Sequence, residues 1–332
     1  MKLTRAVFVC IAFFVSLSIH AKECESPLIE WNDYDKTLSN LSEEYAKNKF
    51  IAVEMTLECL ATSETTFTSG KVGATAVYWF YRNEIPAPGA NKLTKQKIEK
   101  WKETIDNSPY AHFAELRMMY SQAWNERGSK YASETPEDQF TRFKEKLLLA
   151  EAAILADKNQ LKETAMAYNL LMAVTLDTNG TATSPQQTFF TGVKNWPNYY
   201  DFYEVYLTRL VPKWGGSWEM VDAFITHWSD KLAEQEGKSM YARLYYNVHK
   251  LNRLQPQETK IDWKKMKPSL IALTTKYPAK KHFEISASYA CFFADYEFYK
   301  QLFSEHKIAD SDAWLGNSTI EICNTYLESI SR

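Results

Sequence analysis

From residue 33 onward, apolar side chains return every three or four residues along most of the chain. Such spacing places them on one face of a helix. Only 10 of the 332 residues are glycine, which favours a helical fold over a sandwich or barrel. The sequence therefore predicts an all-α protein. A typical apolar face follows Ser108-Pro109 and comprises Phe113, Leu116, Tyr120, Ala123 and Trp124.

The pattern predicts about 14 helices joined by short links. Two of them begin where an N-cap residue precedes proline, at Ser108-Pro109 and Thr135-Pro136, and Gly128 ends the first of these two. The segment 71–85 is rich in aromatic and β-branched residues, and its context favours a helix over a strand. The predicted helices span 33–47, 50–61, 71–85, 94–106, 109–127, 136–155, 161–176, 197–210, 217–235, 238–251, 262–277, 283–294, 295–306 and 311–330.

Many helices of similar length with short links predict stacked antiparallel pairs, an α-solenoid of the tetratricopeptide type. A compact irregular bundle is the alternative, because no strict repeat period is visible. The polar segment 177–185 is the best internal boundary. It divides an N-terminal helical part, 22–176, from a C-terminal part, 186–332, that we expect to continue the same array.

The N-terminus has the pattern of a cleavable secretory signal. Lys2 and Arg5 precede an apolar run, which ends before Ala21 and is shorter than a membrane-spanning helix needs to be. The alternative is an uncleaved membrane anchor. We expect cleavage after Ala21, no membrane span in the mature chain, and a periplasmic or extracellular location. Cleavage would remove two positive charges and change the formal net charge from −2 to −4.

Four cysteines remain after this cleavage, and an even number in an exported chain favours disulfides. Three pairings are possible, and we predict Cys24–Cys59 and Cys291–Cys323 because each pair is close in sequence. Each bridge would close a loop for which the chain-entropy model gives about 3–4 kcal/mol. A metal site is the weaker alternative, since no Cys-x-x-Cys pair or suitably spaced histidine accompanies these cysteines.

The segment 210–217, Leu-Val-Pro-Lys-Trp-Gly-Gly-Ser, predicts a tight turn between two helices. Pro212 would stop the first helix, Gly215 and Gly216 would permit unusual backbone angles, and Ser217 would cap the next helix. A structural turn is the simpler interpretation of these residues. The functional alternative is that the turn also presents Trp214 to a ligand.

This segment resembles the signature of a bacterial family of unknown function, which has tetratricopeptide-like helix pairs and a Pro-Lys/Arg-Trp-Gly-Gly-Ser turn. The resemblance implies a fold and implies no activity. Looser similarities would extend it over most of the mature chain, at 101–109, Trp124, 127–128, 131–132, 198–200, 289–295, 302–303 and Trp314.

Aromatic residues are the best candidates for a binding surface, because tyrosine and tryptophan combine an apolar body with a polar tip. Core packing is the competing explanation. The candidate binding residues are Trp196, Tyr199, Tyr203, Trp214 and Trp218.

No catalytic, cofactor or metal motif is recognisable, and the nearest metal-like pair, His112 and Glu115, would need further ligands. The mild negative charge argues against a nucleic-acid partner. The leading hypothesis is a protein- or peptide-binding module of the bacterial envelope. The alternatives are an immunity-type inhibitor of an envelope-acting toxin, and a hydrolase of envelope polymers that uses carboxylates in the groove.

Overall fold

The computed structural model describes residues 25–128, 134–157, 164–316 and 318–330. These residues form sixteen α-helices and no β-sheet, and their only β-like pairing is a single bridge between Thr66 and Val72. The helices are α1 (Tyr34–Ala46), α2 (Phe50–Thr62), α3 (Gly73–Glu84), α4 (Lys92–Thr104), α5 (Pro109–Arg127), α6 (Glu137–Ala156), α7 (Ala165–Thr178), α8 (Pro185–Asn195), α9 (Asp201–Leu207), α10 (Trp218–Lys231), α11 (Ala233–Glu236), α12 (Ser239–Asn252), α13 (Trp263–Lys276), α14 (Lys280–Phe292), α15 (Tyr296–Glu305) and α16 (Ile320–Ile330).

The prediction of an all-α fold is confirmed, and most helix ends follow the local signals. The Ser108 side chain accepts a hydrogen bond from the Ala111 backbone N–H, and Gly128 ends α5 with a positive φ of 71°. The helix start predicted at Thr135-Pro136 differs in the structure. There α6 begins at Glu137, and Pro136 precedes it without a side-chain cap. The segment 71–85 contains a helix, α3, as its context indicates.

Two helices of the described chain are absent from the predicted set. Ser184 caps α8 and Pro185 occupies its first turn, within a segment that the sequence assigns to the linker and its surroundings. The predicted helix 217–235 divides at Leu232 into α10 and the four-residue α11. The predicted last helix also begins too early, since α16 starts at Ile320.

Most consecutive helices pack against each other along the array, as in a helical solenoid. A second set of contacts joins helices that are distant in sequence, because α3 packs on α7, α7 on α9 and α9 on α12. These four helices therefore form an inner layer.

The predicted boundary at 177–185 connects α7 to α8. The buried Glu151 carboxylate accepts hydrogen bonds from Thr178 and Thr181 of this connection.

Residues toward the two ends of the described array touch each other across the inner layer. Arg243 of α12 donates a hydrogen bond to the Ser69 carbonyl at 3.2 Å, and Lys281 of α14 lies 3.4 Å from the Asp35 carboxylate. Gly70 lies against the ring of Tyr277, where a Cβ atom would come within 2.5 Å of a ring carbon. A larger residue at position 70 would have to displace the Tyr277 ring.

Most of the aromatic side chains lie in the core. Tyr45, Phe50, Tyr81 and Trp101 form one cluster, in which the Phe50 and Trp101 rings stack with centroids 5.6 Å apart. A second cluster surrounds Phe189 between α8, α9 and α10. The aromatic content of the sequence is thus largely accounted for by packing.

The predicted bridge Cys291–Cys323 is present, with the two Cα atoms 5.6 Å apart, and it joins α14 to α16. Cys59 lies in α2, but its predicted partner Cys24 is outside the described residues. The predicted signal segment 1–21 is also outside them. In the ranges that the structure describes, no helix has both the length and the apolar composition needed to cross a membrane.

Candidate functional site

Within the inner layer, two carboxylates of α9 point toward the neighbouring helices α3 and α12. Asp201 begins this helix and Glu204 follows three residues later, so both lie on the same helical face. Asp201 is buried and accepts hydrogen bonds from Thr75 Oγ1 at 2.6 Å and from Trp79 Nε1 at 2.9 Å. Both of its oxygens are therefore used to hold α9 against α3.

Glu204 is less completely satisfied than Asp201. Its Oε2 atom accepts a hydrogen bond from Asn247 Nδ2 of α12 at 2.6 Å, and the residue is half-buried. No donor among the described residues forms a hydrogen bond to its Oε1 atom. Burial raises the pKa of Glu204 to about 7, and the neighbouring Asp201 charge adds to this effect, which Lys71 opposes.

The pKa of Asp201 also rises. Burial is the main cause, and the hydrogen bond from Thr75 together with the charge of Lys71 opposes it. Two carboxylates so close together favour protonation of each other, because both cannot easily carry a charge in a poorly solvated space.

Lys71 supplies a cation to the same space. Its Nζ atom lies 3.8 Å from the centroid of the Tyr34 ring, an arrangement typical of a cation–π contact. Burial lowers the pKa of Lys71, while the charges of Glu204 and Asp201 oppose this shift. Within the described ranges the Lys71 ammonium makes no ion pair and no hydrogen bond, so its charge is compensated only at longer range.

Arg243 adds a second cation next to these groups. Its guanidinium lies 5.2 Å from the ring centroids of both Tyr200 and Tyr277, and its Nε atom is buried without a hydrogen-bond partner. The hydroxyl groups of Tyr34 and Tyr246 are likewise buried and unpaired. Unpaired buried polar atoms cost free energy, so a ligand that reached any of these three atoms would gain a hydrogen bond there.

We name this group of residues the inner site; it comprises Tyr34, Lys71, Trp79, Asp201, Glu204, Arg243, Tyr246 and Asn247. It presents cations, carboxyl groups and aromatic faces together. Such a combination can hold a carboxylate of a ligand on the cations and a donor of the same ligand on Glu204.

The five candidate binding residues from the sequence do not form one surface. Tyr199 and Tyr203 are 1% exposed and belong to the core. Trp196 is half-buried against Tyr168, with ring centroids 5.1 Å apart. Trp218 is half-buried at the start of α10.

Trp214 alone of the five is clearly exposed, at 37%. Its ring meets Trp124 of α5 edge to face, with centroids 6.1 Å apart, and the Arg209 guanidinium lies 4.6 Å from its ring centroid. It therefore sits on α5, away from the inner site.

The turn around Trp214 has the geometry that its residues indicate. Pro212–Trp214 forms one 3-10 turn, and Gly215 adopts a left-handed conformation with φ 89°. A Cβ atom on Gly216 would come within 1.9 Å of the Leu210 carbonyl oxygen. Ser217 caps α10 by accepting a hydrogen bond from the Met220 N–H.

The sequence interpretation missed the residues of the inner site. The pair Asp201 and Glu204 stands in an aromatic segment, and acids within such a segment are a usable signal of partial burial. Nothing in the sequence connects this pair to Lys71 or Arg243. Lys71 lies more than a hundred residues before Asp201, Glu204 and Arg243.

A smaller polar group lies in a groove between α4, α5 and α6. The His112 ring nitrogens lie 3.5 Å from Glu115 Oε2 and 3.4 Å from Asp157 Oδ1. Across the described ranges, no cluster of three or more His, Cys, Asp or Glu side chains has an arrangement that could hold a metal ion.

Comparison of the chain with models of protein families, with curated proteins and with solved structures gave no match. The resemblance carried by the turn at 210–217 therefore stays a prediction.

Proposed function

We propose that the protein is an exported binding module of the bacterial envelope, and that its inner site holds a segment of a peptide or protein partner. The observation that carries this proposal is that two incompletely paired groups lie near each other. Lys71 is a cation without an ion pair in the described chain, and the second oxygen of Glu204 lacks a protein donor there. A ligand carboxylate near Lys71 and a ligand donor near Glu204 would satisfy both.

The aromatic residues of the site fit the same ligand. Tyr34 and Trp79 hold cations over their rings, Lys71 at 3.8 Å and Arg82 at 4.5 Å, and so help to place positive charge where a ligand carboxylate could bind. Export is supported by the N-terminal pattern and by the Cys291–Cys323 bridge, because disulfides persist in oxidising compartments.

The experiment is an affinity capture from the envelope fraction with the mature, oxidised chain as bait. Lys71→Met and Glu204→Gln remove the charges of the inner site, whereas Lys100→Met and Glu99→Gln make the same changes on the exposed surface of α4. We expect one protein to be enriched by the wild type and the α4 variants and lost with the inner-site variants. Calorimetry with the purified partner then gives the loss of affinity.

The turn provides a third arm of this experiment. If the partner is lost with folded Trp214→Ala and retained with both inner-site variants, the binding site is at the turn and the inner site is structural. Equal capture by all variants contradicts both locations.

A hydrolase of envelope polymers is the second candidate, and the pKa of Glu204 favours it. A carboxyl group with a pKa of about 7 can act as a general acid near neutral pH. However, Asp201 has both oxygens committed to Thr75 and Trp79, so it is poorly placed to serve as a second catalytic carboxylate. Product release from envelope polymers that disappears with Glu204→Gln would support the hydrolase, and its absence in the wild type would exclude it.

A further inference from the structure

A groove on the outside of the array is separate from the inner site. It lies between α13 and the residues that join α11 to α12, and it is an open depression with a volume of about 840 Å³. We call it the lysine groove, defined by Lys238, Trp263, Lys264, Lys267, Pro268, Ile271, Ala272 and Lys276.

The floor of the lysine groove is apolar. Pro268, Ile271 and Ala272 lie along the outer face of α13, and Ile271 is 45% exposed. The opposite face of α13 is already packed into the core through Met266, Leu270 and Leu273. The helix therefore has a second apolar strip, which the described chain covers only in part, since Pro268 and Ala272 are half-buried and Ile271 is exposed.

Trp263 forms a fixed wall at one end of the groove. Its ring stacks on Phe293 with centroids 4.8 Å apart, and its Nε1 atom donates a hydrogen bond to the Asp295 carboxylate at 3.0 Å. This wall is held in place without a ligand, so little side-chain entropy would be lost on binding.

The rim of the groove is cationic. Lys267 is paired with Asp295 and Lys276 with Glu236, whereas Lys238 and Lys264 are exposed and make no ion pair within the described ranges. The lining thus contains four lysines and a single acidic residue, Glu236, in a chain with a formal net charge of −2. The cationic rim is thus a local feature that opposes the charge of the whole protein.

We infer that the lysine groove binds an acidic peptide segment of a partner protein. A large apolar side chain of the peptide lies on Pro268, Ile271 and Ala272, and acidic residues on either side of it meet Lys238 and Lys264. Nucleic acid lacks an apolar side chain for this floor. The inference does not depend on the inner site, because none of its residues is shared.

The test uses the full mature, oxidised chain and a fluorescent ten-residue peptide of glutamates around a central leucine, read by fluorescence anisotropy. Two peptide controls replace the leucine with serine or all glutamates with glutamine. We expect saturable binding of the first peptide only. The double variant Lys238→Glu with Lys264→Glu should weaken binding at least tenfold, as should Ile271→Ser.

The matched control is the double variant Lys100→Glu with Lys144→Glu, which makes the same change in net charge at exposed lysines elsewhere. It should leave the affinity within twofold of the wild type. Absence of saturable binding to the wild type overturns the inference, as does an equal loss in the control variant. Equal binding of the serine peptide would show attraction by charge alone and would also overturn it.

A sedimentation experiment with lipid vesicles distinguishes binding of a peptide from binding of a membrane surface. Wild-type protein is sedimented with phosphatidylglycerol vesicles and with phosphatidylcholine vesicles. We expect the wild type and the double variant Lys238→Glu with Lys264→Glu to sediment equally with both kinds of vesicle. Sedimentation with phosphatidylglycerol that the double variant loses, without peptide binding, would assign the groove to anionic lipid and reject the peptide.

Discussion

At the scale of single residues, neighbouring glycines in the turn at 210–217 have different roles. Gly215 needs its positive φ but has open space around the position of a Cβ atom, whereas Gly216 has a backbone oxygen at that position. A clash with backbone is harder to relieve than a clash with a side chain, and this difference leads to the first prediction.

Gly216→Ala should destabilise the protein by about 2 kcal/mol or more, because the Leu210 carbonyl or the turn itself must move. Gly215→Ala should cost about 1 kcal/mol, the usual penalty for a non-glycine residue in a left-handed conformation. Urea unfolding of the two variants beside the wild type measures both values. A larger loss for Gly215→Ala would contradict the assignment.

Glu204 makes stability depend on pH. Its pKa is about 7 in the folded protein and about 4.5 in the unfolded chain, so between these values the folded state binds more protons. Stability from this group therefore falls as the pH rises from about 4.5 to 7, by up to about 3 kcal/mol, and stays low above that range.

Glu204→Gln should remove this dependence. Compared with the wild type, the variant should become progressively more stable between pH 5 and pH 8. Urea unfolding at the two pH values gives the difference, and Glu99→Gln on the exposed face of α4 is the control. An unchanged difference between wild type and Glu204→Gln across this range would mean that Glu204 is ionised throughout.

At the scale of helices, local signals located most elements well. Ser108, Gly128 and Ser217 occupy the caps that their residue types predict. The helix α8 was missed although Ser184-Pro185 is the same start signal as Ser108-Pro109, because the polar residues before it favoured a linker. The break at Leu232 has no proline or glycine to announce it, so a helical pattern alone could not reveal it.

The helix α16 depends on its covalent connection to α14. Its buried residues are few, with Cys323 and Leu327 fully buried. Replacement of Cys291 and Cys323 by alanine should destabilise the protein by about 4 kcal/mol, since the bridge closes a loop with a sequence separation of 32. These substitutions leave Cys59 unchanged.

Hydrogen exchange is the measurement for this variant. Amides of α16 should exchange much faster in the alanine variant, while those of α2 should change little. Uniform acceleration throughout the chain would show that the bridge stabilises the whole array and does not specifically hold its last helix.

At the scale of the whole molecule, the two ends of the array meet through Gly70 and Tyr277. Gly70→Ala places a methyl group in the Tyr277 ring and should separate these ends. Gly128→Ala is a matched control, because Gly128 has nearly the same φ, 71° against 72°, with open space around a Cβ atom.

Small-angle X-ray scattering tests this separation. The radius of gyration should increase in Gly70→Ala and remain at the wild-type value in Gly128→Ala. An unchanged radius in both variants would mean that the Tyr277 ring moves aside and the ends stay together.

The sequence predicted the helices and one disulfide because these depend on nearby residues. It could not predict the inner site, since Lys71, Asp201 and Arg243 meet only through the packing of α3, α9 and α12. The aromatic candidates show the same limit, because sequence spacing does not report which side chains are buried by packing. Spacing alone could not distinguish Tyr199 and Tyr203, which are in the core, from Trp214, which is exposed.

The contact between the two ends of the array has a consequence for the order of folding. The hydrogen bonds Asp201–Thr75 and Arg243–Ser69 join residues 126 and 174 positions apart, whereas each helix pair forms from neighbouring segments. Contacts of such high sequence separation require the closure of long loops and form slowly. Helix pairs can therefore form early, while the inner site is completed only when the last closure joins α12 to the first three helices.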